Sequence, residues 1–421
     1  MTSHLVLVPG FGGFDALGSL RYYHCVTEVL QTRNGGCPIH YFPNLPTASV
    51  QTRAQALQLW LSELKERRAI GPGDDIHLVG HSTGGLDLRQ LLINLRIQQA
   101  GDNSNGASQI IKQLRTVQFL STPHRGTALA HRLGDAVPKV LAYRLFLRLM
   151  YEGARGMRGV GLRSLGRALR PLSPRQDAAN WIDAIIDTLK GCDSQEQGLP
   201  RALARATYFD LLRWLLNMAS DLTVITDLDP EPSPGSIPSP AHAEGHELQN
   251  ELSFIKQHRI RVRSIVTFAP PSNSWPPTLF RILHALTASN PPQRLRQTKH
   301  TIHKLLAPEE TQTLSFADND GIVNCVSQVW PDADHSYLIQ GDHADVMGHF
   351  KAKRLQAQAS FPATTYNQYD LLNSPADFDR RRFIRLWKEV DRFTASQQRR
   401  ECTEPRRRNG ASIHSIGGRG H

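Results

Sequence analysis

The stretch Ile76-His77-Leu78-Val79-Gly80-His81-Ser82-Thr83-Gly84-Gly85 decides how the rest of the chain is read. A short apolar run, Ile76 to Val79, enters a Gly-x-Ser-x-Gly sequence, and a segment of helical period from Leu86 to Gln99 follows. A serine on a sharp strand-to-helix turn needs small residues two positions to either side, because its strained backbone lies against the adjoining strand and helix. Such a turn lifts the hydroxyl above a sheet, at the positive end of a helix where negative charge is favoured. Gly-x-Ser-x-Gly alone is a common pattern; the strand before it and the helix after it make Ser82 a candidate nucleophile.

Outward from this turn, short apolar runs bounded by Gly or Pro alternate with longer helical segments, the pattern of an α/β chain with a mostly parallel, doubly wound sheet. Strands are predicted at Leu5 to Val8, Pro38 to Phe42, Ile76 to Val79, Thr116 to Leu120, Val262 to Phe268 and Tyr337 to Ile339. Helices are predicted at Arg21 to Gln31, Val50 to Arg68 and Leu86 to Gln99. Leu57, Trp60, Leu61 and Leu64 form one apolar stripe on the second of these. The alternation stops after Leu120 and resumes near Val262. The chain therefore divides into 1–126 and 252–398 as two parts of one core, 127–251 as a helical, basic insertion with a Pro/Ser-rich loop, and 399–421 as a basic, disordered tail.

An activated serine needs a base and an acid to orient it, and the chain order that accompanies this turn is Ser, then Asp or Glu, then His. Asp318-Asn319-Asp320-Gly321 offers the acid on a turn, and Gly341-Asp342-His343-Ala344-Asp345 offers the base just after the last predicted strand. His343 would take the Ser82 proton and Asp320 would fix its tautomer; His335 and His349 are rival bases and Asp318 a reserve acid. The oxyanion of an acyl-transfer intermediate needs two backbone donors. The amide after the nucleophile, Thr83, is one; the loop Val8-Pro9-Gly10-Phe11-Gly12-Gly13-Phe14-Asp15 supplies the other, assigned to Phe11. A dinucleotide-binding Gly-x-Gly-x-x-Gly does not fit this loop, because Asp15 stands where its last glycine belongs.

These segments resemble the bacterial triacylglycerol lipases of the α/β-hydrolase superfamily. LVPGFGGFD is similar to their oxyanion loop, GHSTGG to their nucleophile elbow, STPHRGT to their GxPHxG segment, NDGIVN to the segment that carries their acid, and DHADVMG to their histidine loop. The resemblance implies an α/β-hydrolase fold, a triad of Ser82, Asp320 and His343, oxyanion donors at Phe11 and Thr83, and a helical lid in the insertion. Pro9 departs from it, standing where many members have His. Several members bind a structural calcium through an acidic residue two positions after the histidine, which makes Asp345 a candidate ligand. The absence of any Asp or Glu between Lys256 and Ala307 weighs against the several oxygen ligands calcium needs. No cofactor is expected to be required.

Composition narrows the function classes. The chain has 421 residues, 40% of them hydrophobic, enough for a sizeable core, which excludes global disorder. No apolar run approaches the roughly 18 residues of a membrane-spanning helix, and the N-terminal run is too short for a signal peptide, so a cytoplasmic location is expected. Five scattered cysteines give neither a disulfide framework nor a Cys-x-x-Cys site. The net charge of +11 invites a nucleic-acid or anionic-membrane reading, but no nucleic-acid motif accompanies it. Much of it is local: from Lys139 to Arg175 nine Lys or Arg face the single Glu152. Arg163, Arg167 and Arg170 would share a helix face suited to an anionic lipid surface. The expectation is a serine hydrolase acting on acyl-ester lipids as a lipase or esterase. A phospholipase, acyltransferase, thioesterase or polyester depolymerase with the same triad is the alternative, and a non-catalytic protein that binds an anionic membrane or nucleic acid on this scaffold is a further one.

Overall fold

The computed structural model describes residues 2–13, 16–17, 20–31, 37–45, 47–101, 104–131, 223–231, 239–273, 279–289, 292–296, 298–351 and 370–403. The basic run from Lys139 to Arg175, the apolar segment Tyr208 to Met218 and Arg406 to Arg408 lie outside them.

The strands are β1 (Ser3–Val8), β2 (Ala16–Leu17), β3 (Leu20–Arg21), β4 (Ile39–Tyr41), β5 (Asp75–His81), β6 (Leu114–Leu120), β7 (Arg261–Phe268), β8 (His300–Lys304), β9 (Ala307–Leu314) and β10 (Ser336–Gln340). Eight of them form one sheet in the order β4-β1-β5-β6-β7-β10-β8-β9, parallel except for the β8–β9 hairpin at its edge, and β2 and β3 form a separate two-stranded ribbon. The longer helices are α1 (Val26–Gln31), α2 (Val50–Glu66), α3 (Thr83–Ala100), α4 (Ser104–Gln113), α5 (Gly245–Gln257), α6 (Leu279–Ala288) and α7 (Arg380–Thr403).

Alternate residues of the central strands point to opposite faces, and each face buries its own cluster. On one side Leu5, Leu7, Val79, Leu120, Ile265 and Ile339 pack under Tyr23, Val26, Phe383 and Trp387, from the segment around α1 and from α7. On the other, Val6, Val8, Ile76, Leu78, Val117 and Phe119 pack under Leu57 and Leu61 of α2, Leu88 and Leu92 of α3, Ile110 of α4 and Phe254 of α5. Every residue of β5 is buried, as expected of a parallel strand covered on both faces. Full burial of one such side chain contributes about 1.5–3 kcal/mol. The fold is the α/β-hydrolase architecture, with Ser82 at the turn from its central strand β5 into α3.

All six predicted strands are present, with ends shifted by one or two residues. Three features differ from the sequence expectation. The helix expected from Arg21 begins only at Val26, because β3 takes Arg21 and Cys25 adopts φ 57°, a left-handed conformation that cannot continue a helix. The expected core boundary at 251/252 falls inside α5, whose Phe254 and Ile255 belong to the core and whose Glu251 pairs with α3. Helix α7 carries the chain past residue 399, where the disordered tail was expected to begin, to Thr403. Among the described residues no helix is long and apolar enough to cross a membrane.

Candidate active site

Ser82 sits at φ 55° and ψ −130°, a backbone conformation costly for a residue with a side chain. The surrounding glycines make it attainable. A Cβ on Gly80 would lie 2.7 Å from the Gly84 carbonyl group, and one on Gly84 would lie 2.4 Å from the Val8 oxygen. The elbow is therefore wedged between β1 and the first turn of α3, and Ser82 N–H is held by the Leu120 carbonyl at 2.8 Å. Thr83 is the first residue of α3, where an amide has no partner within the helix.

Asp320 is fully buried on the turn after β9. Its Oδ1 accepts from the amides of Ile322 at 3.0 Å and Val323 at 2.8 Å. Its Oδ2 accepts from Thr267 Oγ1 at 2.7 Å and Gln328 Nε2 at 3.1 Å, and lies 2.8 Å from His343 Nδ1. A carboxylate only accepts, so the His343 ring proton sits on Nδ1 and Nε2 is left as an acceptor. A second link, from His343 N–H to the Asp320 carbonyl at 3.0 Å, fixes the two loops to each other. Among the described residues no hydrogen bond joins the Ser82 hydroxyl to this ring. The histidine loop meets the elbow through His81, whose ring lies 4.7 Å from that of His343 and whose Nε2 lies 2.9 Å from the His343 carbonyl.

The rivals lie elsewhere. Asp318 closes its own turn, accepting from the amide and hydroxyl of Ser315. His335 is exposed against Asp332, and His349 is held by the Arg21 carbonyl at 2.8 Å.

The candidate oxyanion loop is held from beneath by side chains that sequence reasoning did not single out. Asn44 Nδ2 donates to the Pro9 carbonyl at 2.9 Å, and Arg53 reaches the same oxygen, Thr83 Oγ1 at 2.9 Å and Asp87 Oδ2 at 2.7 Å. Burial outweighs the Arg53 charge at Asp87 and pushes its carboxyl up to about 6. One signal for this cluster was present in the sequence: Arg53 occupies the stripe Val50, Arg53, Ala54, Leu57 and Leu61, where the other residues are apolar. Phe11 lies over the small cluster of Val50, Leu86, Ala130 and Val224.

Asp345 is buried, and its Oδ2 accepts from the Asp342 amide at 2.7 Å, while Asp342 Oδ1 accepts from the amides of Ala344 and Asp345. The two carboxyls thus cap one turn. Burial pushes Asp342 up to about 7 and Asp345 well above the usual carboxylate range. Among the described residues no group of three or more His, Cys, Asp or Glu is arranged to hold a metal ion.

No family model matches the chain. It is 27% identical over 138 residues to "Triacylglycerol lipase 2" of Saccharomyces cerevisiae, a match covering 32% of this chain and 38% of that protein. It is 28% identical over 129 residues to "Triacylglycerol lipase" of Pseudomonas fragi, covering 31% and 37%. Among solved structures, lipase 1 from Pelosinus fermentans aligns over 92% of this chain and 98% of its own at 13% identity, with a TM-score of 0.40. A mature lipase from Bacillus licheniformis aligns over 82% and 86% at 13% identity, with a TM-score of 0.37. The chain is thus similar, over well under half the length of each curated relative it matches, to triacylglycerol lipases.

Proposed function

We propose that the protein is a serine carboxylester hydrolase acting on acyl-ester lipids. The observation that carries the reading is the strained Ser82 turn between β5 and α3 beside the buried Asp320–His343 couple. In this reading Ser82 Oγ attacks the ester carbonyl carbon while His343 Nε2 takes the hydroxyl proton. The tetrahedral oxyanion is met by the Phe11 and Thr83 amides. His343 then gives its proton to the departing alkoxide, leaving an acyl-enzyme on Ser82. Water, activated by the same imidazole, releases the acid and regenerates Ser82. Asp320 holds the imidazole in the required tautomer and stabilises its charged form. The lipid class is supported by the names of the two curated relatives. The basic run from Lys139 to Arg175 fits contact with an anionic lipid surface.

The test is labelling with a fluorophosphonate together with hydrolysis of a p-nitrophenyl ester chain-length series, phospholipid vesicles and a triglyceride emulsion. Label on Ser82, lost in Ser82→Ala, with long-chain esters hydrolysed faster at an interface, is the expected result. Label that survives Ser82→Ala overturns the assignment, and a preference for short soluble esters indifferent to an interface reduces it to an esterase.

A further inference from the structure

The buried hydroxyl of Tyr22 lies at the junction of the three segments that make up the candidate site. Gly10 N–H donates to Tyr22 Oη at 2.7 Å, Tyr22 Oη lies 2.7 Å from His81 Nδ1, and His81 Nε2 lies 2.9 Å from the His343 carbonyl. The end groups determine every proton between them. An amide N–H only donates, so Tyr22 Oη accepts from Gly10 and its own hydrogen goes to His81 Nδ1. A carbonyl only accepts, so His81 Nε2 carries the ring hydrogen. The chain therefore runs one way, from the Gly10 amide through Tyr22 and a neutral His81 to the His343 backbone.

We propose that Tyr22 and His81 are positioning residues that tie the oxyanion loop to the segment carrying the catalytic histidine. The inference rests on the serine-hydrolase reading of Ser82, Asp320 and His343. The Pro9–Gly10 peptide is held at both polar ends: its carbonyl by Asn44 and Arg53, its amide by Tyr22. The next carbonyl, that of Gly10, accepts from Gly13 N–H at 2.9 Å, so the peptide that presents the Phe11 amide is fixed by its neighbours. The fit is tight: a Cβ on Gly10 would lie 2.6 Å from Ser82 Cβ and 2.9 Å from Tyr22 Oη. Pro9 has neither an amide hydrogen nor a polar side chain with which to hold the loop, and Tyr22 reaches the adjacent amide instead.

The electrostatics agree with this arrangement. Burial holds His81 well below the usual imidazole range, and burial raises the Tyr22 phenol above its ordinary value. Both groups thus stay neutral at the pH at which an ester hydrolase works. A charged His81, with its ring 4.7 Å from that of His343, would oppose the imidazolium that the reaction forms.

Tyr22→Phe removes one oxygen with its bonds to Gly10 and His81 while leaving the ring. Misplacing one of two oxyanion donors should lower kcat on a soluble p-nitrophenyl ester roughly 10- to 100-fold, and fluorophosphonate labelling by a similar factor, with KM within about threefold. Tyr41→Phe is the matched control: it removes another phenol hydroxyl, which lies 2.5 Å from Thr27 Oγ1, and should keep kcat within about twofold. His81→Gln, which keeps one donor and one acceptor, should fall between wild type and Tyr22→Phe and serves as the test if Tyr22→Phe does not fold. Equal kcat and labelling rates in wild type, Tyr22→Phe and His81→Gln overturn the relay, as does an equal loss in Tyr22→Phe and Tyr41→Phe. Absence of Ser82 labelling in the wild type overturns the hydrolase reading instead.

Discussion

Asp320 receives hydrogen bonds from two backbone amides, a threonine hydroxyl, a glutamine amide and the His343 ring, all while buried. With that many donors converging, the carboxylate has one orientation, and His343 inherits it. Asp320→Asn keeps the size but puts an amide hydrogen or a neutral oxygen where an anion stood, which favours the wrong imidazole tautomer. Turnover of a soluble ester should fall by roughly 10⁴-fold with the fold retained, measured as kcat beside a circular dichroism melt. The glycines around Ser82 were legible because a strained turn is local chemistry, and the candidate acid and base were legible because they stand in the chain order that accompanies such a turn. Thr267 and Gln328, which complete the acid's shell, were not: nothing in their own neighbourhood marks them, and only the pairing of β7 with β6 and β10 brings Thr267 under Asp320.

Helix α3 shows what elements contribute. Its first residues present the elbow, and further along Arg89 forms a fork with Glu251 of α5, at 2.9 Å and 2.6 Å, both side chains buried. The Arg89 guanidinium also lies 4.9 Å over the Trp330 ring. Glu251→Gln would leave that charge without its counterion inside the core, and the expected cost is about 3–5 kcal/mol, read as a lowered midpoint of urea unfolding. A midpoint equal to wild type would mean that Arg89 finds another partner. The parallel strands were legible as apolar runs because burial on both faces demands such runs. The β8–β9 hairpin was not, because it lies at the sheet edge, where Glu309 and Glu310 face water and, within its two strands, only Ile302 and Leu314 are buried.

At the scale of the whole molecule, folding buries several histidines in their neutral form. Burial lowers His24, His77, His300 and His349 to about 4. A folded pKa below the unfolded value near 6.5 means that the unfolded chain binds more protons in between, so stability falls as pH drops from about 6.5 to about 4. Asp87 and Asp342 act in the opposite sense: raised to about 6 and about 7, they favour the folded state at low pH, and that contribution is lost as pH rises through those values. Thermal midpoints should decline below pH 6.5, and His77→Gln should reduce the slope between pH 6.5 and 4 whatever it does to the midpoint at pH 7. A slope unchanged by His77→Gln would show that His77 is not a source of the decline.

The alternation of strands and helices and the strand-to-helix turn at Ser82 could be read from the chain alone, because each depends on residues adjacent in sequence. Pro9, in the candidate oxyanion loop, likewise stands out in the sequence alone as a residue with no polar side chain. Which buried groups hold these pieces together is settled by packing alone: Tyr22 beneath Gly10, His81 against His343, Arg53 beneath Pro9, and Thr267 and Gln328 on Asp320. Most of these partners lie tens to hundreds of residues apart, and a polar side chain discloses its partner only when packing has excluded water from both.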